Sequence, residues 1–364
     1  MRILFLFSGP GIKPVGGYKV VYEYANRLAA DGYDVGIVYA TYCVRLRQNF
    51  LIAILRMCKA LIRFFNLKYK NRFSCRTWFP LDERIKEHWI FSLSERNVPK
   101  ADVYVATAIK TSLYLNSYKR IDNINKYYLI QHFEDWGEVT ERDVLKTYHF
   151  PINKIVIAHW LEEIVRAQGE KCVFIPNGFD FKYFQMKTPL KQRNKMNVCM
   201  LYHRSEWKGC SDAFAALALV KEKYPSLQVN IFGVFPRPDD LPEWYHYYQK
   251  PDKVTHNWLY NESAIFVGPS WTEGWGLTVG EAMICGCAVA CTDNAGYLEM
   301  ATDGETALVS PVRNPKSLAH NIIRLIEDDE LRFRIAEAGC RNIRQFTWEK
   351  AYLKFKETLE NIPK

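Results

Sequence analysis

The 364-residue sequence has no apolar run of transmembrane length, no internal repeat and no low-complexity tract, which excludes a membrane-spanning chain, a solenoid and a disordered tail. It also lacks an Asp-x-Asp triplet, and no nucleic-acid motif accompanies its basic character. The opening MRILFLF is too short for a secretory signal and has no small-residue cleavage site after it. With ten cysteines in such a chain, the expectation is a reduced, cytoplasmic protein. Cys285, Cys287 and Cys291 have no histidine near them and run from a helix end into a strand. They read as small buried apolar groups, and no metal site is expected there. Acid is missing locally: from Val35 to Leu81 there are nine Lys or Arg and no Asp or Glu, so this window carries the whole formal net charge of +9.

Length and pattern point to an α/β chain with two domains, because 364 residues exceed one ordinary core and strands alternate with helices in both halves. MRILFLF reads as a first buried strand, SGPGIKPVGG as a loop, and Tyr18–Ala30 as a helix with Val21, Tyr24, Ala25 and Leu28 on one face and Gly32 as its stop. The strand DVGIVY follows. Gly9, Gly11 and Gly16 miss the G-x-G-x-x-G spacing, and Gly17-Tyr18 stands where a P-loop needs Lys-Ser/Thr. Dehydrogenase and NTPase readings are weakened accordingly. YYLIQH (127–132) is a further strand ending at His132, a place where a lone histidine is ordinarily structural.

The densest signal is PSWTEGWGLTVGEAMICGCAVACTDNAG, residues 269–296. Here AIFVG (264–268) is strand-like, 269–277 is a glycine-broken loop, and Thr278–Cys285 is helical with Val279, Ala282 and Met283 on one face and Gly286 as the stop. Glu273 therefore lies in the loop and Glu281 one turn into the helix. Between them the backbone N–H groups of Gly274, Trp275, Gly276 and Leu277 sit at the positive end of the helix, which favours a diphosphate. Carboxylates beside them can accept hydrogen bonds from sugar or ribose hydroxyls. Taken alone, two solvated glutamates explain the pattern equally well. Upstream, VCMLY (198–202) is a strand and Ser211–Lys223 a helix with Phe214, Leu217 and Ala218 inward, and the connecting HRSEWKG sets Arg204 and Lys208 at the strand's C-terminal edge. Ligands of parallel sheets gather at that edge, and two cations there suit a pyrophosphate.

Together these residues carry a resemblance. Ser270, Glu273, Gly274, Gly276, Leu277, Glu281, Ala282, Met283 and Gly286 resemble the Glu-(seven residues)-Glu signature of retaining glycosyltransferases of the B fold, in the large family numbered four. Thr278 departs from the family's usual proline, but it restores an N–H and fits a helix start. The resemblance implies two Rossmann-like domains facing across a cleft, with the C-terminal helix crossing back to the first. Residues 1–170 would be the acceptor-binding domain, 171–345 the nucleotide-sugar domain, and 346–364 the returning helix. It also implies that Arg204 and Lys208 hold the donor diphosphate and that Glu281 holds the ribose. Glu273 would orient the donor sugar, with Thr278 beside it at the helix start, Gly16-Gly17 would let backbone approach the donor phosphates, and His132 would contact the donor sugar. Glu134 and Asp135 are weaker acceptor-side candidates. IPNG (175–178) matches the turn before the family's variable linker, here Phe181–Met196. The family's intervening helix reads as trimmed between Pro242 and Ala264.

The expected activity is transfer of a sugar from a nucleotide-diphosphate donor to a hydroxyl of a saccharide or lipid-linked saccharide, in surface polysaccharide or lipopolysaccharide synthesis. Retention at the anomeric carbon and independence of cofactor and metal are implied by the resemblance. A sugar-nucleotide epimerase of the same fold and a non-catalytic nucleotide-sugar binder are the alternatives. Residues 51–67 place Arg56, Lys59 and Arg63 on one helical stripe, with Ile54, Leu55, Met57, Leu61, Ile62, Phe64 and Phe65 around it. That pattern suits an interfacial helix on an anionic membrane and equally a core helix with a basic outer face. A peripheral position on the inner face of the cell membrane is the localisation it suggests, and nucleic acid ranks last as a partner.

Overall fold

The computed structural model describes residues 1–43, 49–70 and 72–361. The part of the acid-free window at 44–48, with Arg45 and Arg47, lies outside the described residues, as do Asn71 and residues 362–364. Met1–Asn177 with Glu349–Lys364 form one compact unit and Gly178–Trp348 another.

In chain order the first unit runs β1 (Arg2–Phe7), α1 (Gly16–Ala30), β2 (Asp34–Tyr42), α2 (Phe50–Tyr69), β3 (Lys86–Ser92), β4 (Val103–Ala106), α3 (Ile109–Asn116), β5 (Lys126–Ile130), α4 (Glu141–Tyr148), β6 (Asn153–Val156), α5 (His159–Ala167) and β7 (Val173–Phe174). The strands form one parallel sheet in the order β3-β2-β1-β4-β5-β6-β7. Ile3 to Phe7 are all buried, the unbroken apolar run of a strand covered on both faces. Helix α1 starts two residues before the expected Tyr18, at the glycine pair itself, and buries Val21, Tyr24, Ala25 and Leu28 as read from their spacing. Strand β5 stops at Ile130, so Gln131 and His132 lie just past its C-terminal end.

The second unit runs β8 (Asn197–Tyr202), α6 (Cys210–Lys223), β9 (Gln228–Gly233), β10 (Tyr245–Gln249), α7 (Lys253–Glu262), β11 (Ile265–Gly268), α8 (Leu277–Ile284), β12 (Ala288–Thr292), α9 (Ala295–Leu298), β13 (Leu308–Ser310), α10 (Pro315–Glu327) and α11 (Asp329–Asn342). Its sheet is parallel throughout, in the order β10-β9-β8-β11-β12-β13. Helix α12 (Trp348–Glu360) then packs within the first unit, where Phe355 stacks on Tyr24 with ring centroids 4.2 Å apart and Asp31 accepts from Tyr352 Oη and Lys356 Nζ, each at 2.7 Å.

Two expectations need correction. In α6 the inward face is Ala213, Ala216, Leu217 and Val220, whereas Ala218 is exposed, because the i, i+3, i+4, i+7 stripe of a 3.6-residue helix starts at Ala213 and leaves position 218 off it. The trimmed connection is one step earlier than expected: α7 occupies the stretch before Ala264, and it is β9 and β10 that are joined by residues 234–244 without a helix. Phe214 packs edge-on to Tyr245 at 5.6 Å in this region and lies against Tyr202, so aromatic side chains cover that end of the sheet. The linker Phe181–Met196 is anchored on the second unit. Arg193 is buried and donates to the carbonyl oxygens of Thr188, Tyr260, Ser263 and Cys285, pinning the segment to the ends of α7 and α8.

Helix α2 departs from the ordinary amphipathic plan. The side it turns to the sheet is small or half-buried, with Ala60 buried, Phe64 stacked on Trp89 at 6.0 Å, and Arg56 half-buried over the Tyr42 ring at 5.8 Å. Its outward side carries Leu51, Leu55, Ile62 and Phe65, exposed by 68%, 63%, 71% and 63%. A core helix with a basic outer face would bury those four residues.

Candidate active site

In the second unit the strand order reverses between β8 and β11, since β9 and β10 lie to one side and β12 and β13 to the other. The carboxyl ends of β8 and β11 flank a crevice of the kind that holds ligands in open parallel sheets. The two loops that carry the candidate residues emerge here. Leu201, Lys208, Phe266 to Ser270, Thr278 and Tyr297 line a cleft between them.

The loop after β8 holds Arg204, exposed, with its guanidinium 5.3 Å from the Phe235 ring centroid. Lys208 reaches across so that its Nζ lies 2.6 Å from Glu273 Oε1. Gly209 opens α6 in the left-handed conformation, φ 60°, and a Cβ there would overlap the carbonyl oxygen of Pro269. The close approach that brings the lysine to the carboxylate thus requires glycine. His203, whose Nδ1 accepts the Ser205 N–H at 3.0 Å, is held below the usual histidine range, first by burial and then by the Lys208 cation.

Glu273 is fixed from a second side. Ser270 Oγ donates to Glu273 Oε1 at 2.8 Å and accepts from Tyr297 Oη at 3.0 Å. The Ser270 carbonyl in turn accepts from Thr292 Oγ1 at 2.5 Å and Asn294 Nδ2 at 2.9 Å. A lysine and a relay of hydroxyls therefore hold one carboxylate oxygen, which fixes the side chain's rotamer before any ligand arrives. Gly276, at φ 97°, is the N-cap of α8 and packs against Tyr297, to which a Cβ would come within 2.6 Å. The amides of Leu277 and Thr278 begin the helix there. Glu281, on the second turn, is 5% exposed and receives the Tyr260 hydroxyl at 3.4 Å. The Trp275 indole is buried, edge-on to Phe346 at 5.1 Å. Cys285, Cys287 and Cys291 are buried, and burial raises their thiol pKa values, that of Cys287 to about 11.

The structure thus gathers Arg204, Lys208, Glu273, Gly274, Trp275, Gly276, Leu277, Thr278 and Glu281 at one sheet edge. The first unit holds the remaining candidates as a cluster of its own. Gly16 opens α1, and Gly17 faces the Gln131 amide, 3.3 Å from where its Cβ would stand. His132 Nδ1 lies 3.0 Å from the Phe133 carbonyl, which places the proton on Nδ1 in the neutral ring and leaves Nε2 as the acceptor. Its ring is edge-on to Trp136 and Trp160, at 4.9 and 5.8 Å. Glu134 accepts the Ile109 N–H at the start of α3, 3.1 Å away, and burial pushes its carboxyl up to about 7. Asp135 donates its backbone N–H to the Phe133 carbonyl at 3.1 Å. Tyr297, Asn294 and Tyr260 escaped the sequence reading, although the Asn-x-Gly turn straight after a buried strand was a usable signal for Asn294.

Residues 182–341, within the second unit, match the family described as glycosyl transferases group 1. Among its relatives, the N,N'-diacetylbacillosaminyl-diphospho-undecaprenol alpha-1,3-N-acetylgalactosaminyltransferase of Campylobacter jejuni is 34% identical over 204 residues, 52% of this chain and 54% of that protein. The phosphatidyl-myo-inositol mannosyltransferase of Mycolicibacterium smegmatis is 24% identical over 235 residues, 60% of each. The chain spans about half the length of the curated relatives it matches. In fold it is similar to HepE of Anabaena, solved in complex with UDP-glucose, at a TM-score of 0.71 and 17% identity over 99% of both chains. That likeness establishes the architecture of two Rossmann-like sheets seen in B-fold glycosyltransferases.

Proposed function

We propose that the chain is a retaining hexosyl- or deoxyhexosyltransferase that moves a sugar from a nucleotide-diphosphate donor to a hydroxyl of a saccharide or lipid-linked saccharide. The observation that carries this reading is the Lys208–Glu273 pair, held at 2.6 Å at the reversal of the strand order. In the proposed complex the donor diphosphate lies over the start of α8 and draws Lys208 and Arg204 to its charge. Glu273, with Oε1 already engaged by Ser270, uses its second oxygen to accept from hydroxyls of the donor sugar. Glu281 takes the ribose hydroxyls, exchanging its contact with Tyr260 for them. Gly16-Gly17 and His132 serve the same reaction from the first unit.

In the reaction the bond from the anomeric carbon to the phosphate oxygen breaks and the acceptor oxygen bonds to the same face of that carbon. The departing phosphate oxygen takes the acceptor's proton. Arg204 and Lys208 neutralise the growing negative charge, so that no divalent cation is required. The relatives named for diphospho-undecaprenol and phosphatidyl-inositol acceptors favour an acceptor confined to a bilayer. Helix α2 supports that choice with its exposed Leu51, Leu55, Ile62 and Phe65 beside Lys59 and Arg63. Among the described residues no helix is long and apolar enough to cross a membrane, so the contact would be peripheral.

A thermal-shift panel of UDP, GDP and dTDP with their sugars identifies the donor. NMR of the product then decides among the alternatives: an α-configured glycoside from an α-configured donor supports retention, an epimerised donor without acceptor supports the epimerase, and binding without turnover supports the non-catalytic binder.

A further inference from the structure

Beyond the donor contacts, the same sheet edge carries a cation that the proposed reaction leaves unused. Arg313 follows β13, whose carboxyl end points the same way as those of β8 and β11 in this parallel sheet. Its guanidinium carbon lies 4.1 Å from the centroid of the Trp271 ring. Trp271 belongs to the Glu273 loop and is anchored twice: its Nε1–H donates to Asp212 Oδ2 at 2.6 Å, and its backbone N–H donates to the carbonyl of Trp207, the neighbour of Lys208, at 2.7 Å. Asp212 is thereby occupied by the indole. Arg313 itself is exposed and makes no ion pair or hydrogen bond among the described residues.

The backbone adds a second observation. Arg313 has φ 56°, a left-handed conformation that is strained for a long side chain and persists only where its surroundings impose it. The surroundings do so on both sides. The Val312 N–H donates to Asp293 Oδ1 at 3.0 Å, and the Asn314 side chain caps α10 through the Ser317 N–H at 3.0 Å. A guanidinium over an indole ring is attracted to the π face without using its N–H groups as hydrogen-bond donors, which leaves them available for a bidentate oxyanion.

We propose that Arg313, held on Trp271, is a subsite for an oxyanion borne by the saccharide substrate: a carboxylate on the transferred sugar, or a phosphate or carboxylate on the acceptor. This rests on the glycosyltransferase reading and names the substrate class of its site. Arg313 is a specificity residue, and an acidic saccharide binds and reacts better than its neutral counterpart because of it.

The test uses the full chain, Arg313→Gln and Arg313→Lys, all of which keep the same backbone demand. The donor arm is a calorimetric titration with UDP, UDP-glucose and UDP-glucuronate, or with GDP, GDP-mannose and GDP-mannuronate where GDP is the nucleotide that binds. The acceptor arm compares transfer to octyl glucoside, octyl glucuronide and octyl glucoside 6-phosphate. Wild type is expected to prefer the acidic member at least tenfold in one arm, which identifies where the oxyanion sits. Arg313→Gln should abolish that preference, and Arg313→Lys, which lacks the fork, should retain only part of it. Free UDP or GDP should bind all three proteins equally, which shows the fold and donor site intact. No preference in either arm, or a preference that survives in Arg313→Gln, overturns the inference while leaving the glycosyltransferase reading standing. Failure of wild type to bind any nucleotide overturns that reading and the inference with it.

Discussion

Lys208 and Glu273 stand 65 positions apart in the sequence and meet at 2.6 Å, one at the carboxyl end of β8 and the other past β11. Neither partner is fully exposed, with side-chain exposures of 22% and 15%, so the pair is held more firmly than a surface ion pair. Without a donor the lysine neutralises the carboxylate. In the proposed reaction the diphosphate competes for the ammonium and frees Glu273 for the sugar.

The packing that permits this contact is testable at Gly209. Its left-handed φ of 60° and the proximity of the Pro269 carbonyl leave no room for a methyl group. Gly209→Ala should lower unfolding free energy by about 2 kcal/mol in urea titrations and weaken nucleotide binding at the same time, because the two loops must separate. A variant with unaltered stability and binding would show that the loops are free to part.

Most of the second unit was legible in the sequence because its local signals agree with one another: apolar runs mark β8, β11 and β12, and glycines stop or start the helices beside Lys208 and Glu273. The relay that positions Glu273 was not legible. Ser270, Tyr297 and Asn294 meet only through the register of parallel strands, which no local pattern encodes. The displaced gap between β9 and β10 escaped for a related reason, since a short apolar edge strand and a helix turn look alike in a stretch rich in tyrosine and tryptophan. Helix α2 was readable as amphipathic, but which side faces the sheet depends on Ala60 and Phe64 fitting against Trp89, a matter of packing.

Glu134 gives a pH signature. Burial raises its carboxyl from 4.5 to about 7, so the folded state holds this proton more tightly than the unfolded chain does. The corresponding stability is complete below about pH 4.5 and is lost as pH rises through 7. Because Glu134 is only partly enclosed, the loss relative to Glu134→Gln should be on the order of 2 kcal/mol across that window. Denaturant titrations of both proteins at several pH values check it, and parallel profiles would contradict it.

The outward face of α2 makes a prediction about location. Wild type should co-sediment with anionic vesicles and not with neutral ones, and salt should release it in part. Lys59→Gln with Arg63→Gln should weaken binding roughly tenfold or more, at about 1 kcal/mol for each basic group. Ile62→Ser with Phe65→Ser should do so independently of salt. Sedimentation unchanged in both pairs would return the helix to a role in a protein contact or in folding.

The central claim is that Glu273 and Lys208 act on the reacting sugar and its leaving group more than on the nucleotide. The most direct measurement is the kcat for donor turnover beside the calorimetric Kd for the free nucleoside diphosphate, in wild type, Glu273→Gln and Lys208→Met. The account predicts that both variants lose about 100-fold or more in kcat, in line with removal of a preorganised electrostatic contact. The nucleotide Kd should change less than about threefold in Glu273→Gln and somewhat more in Lys208→Met. A Glu273→Gln variant whose nucleotide affinity falls as far as its turnover would contradict the account.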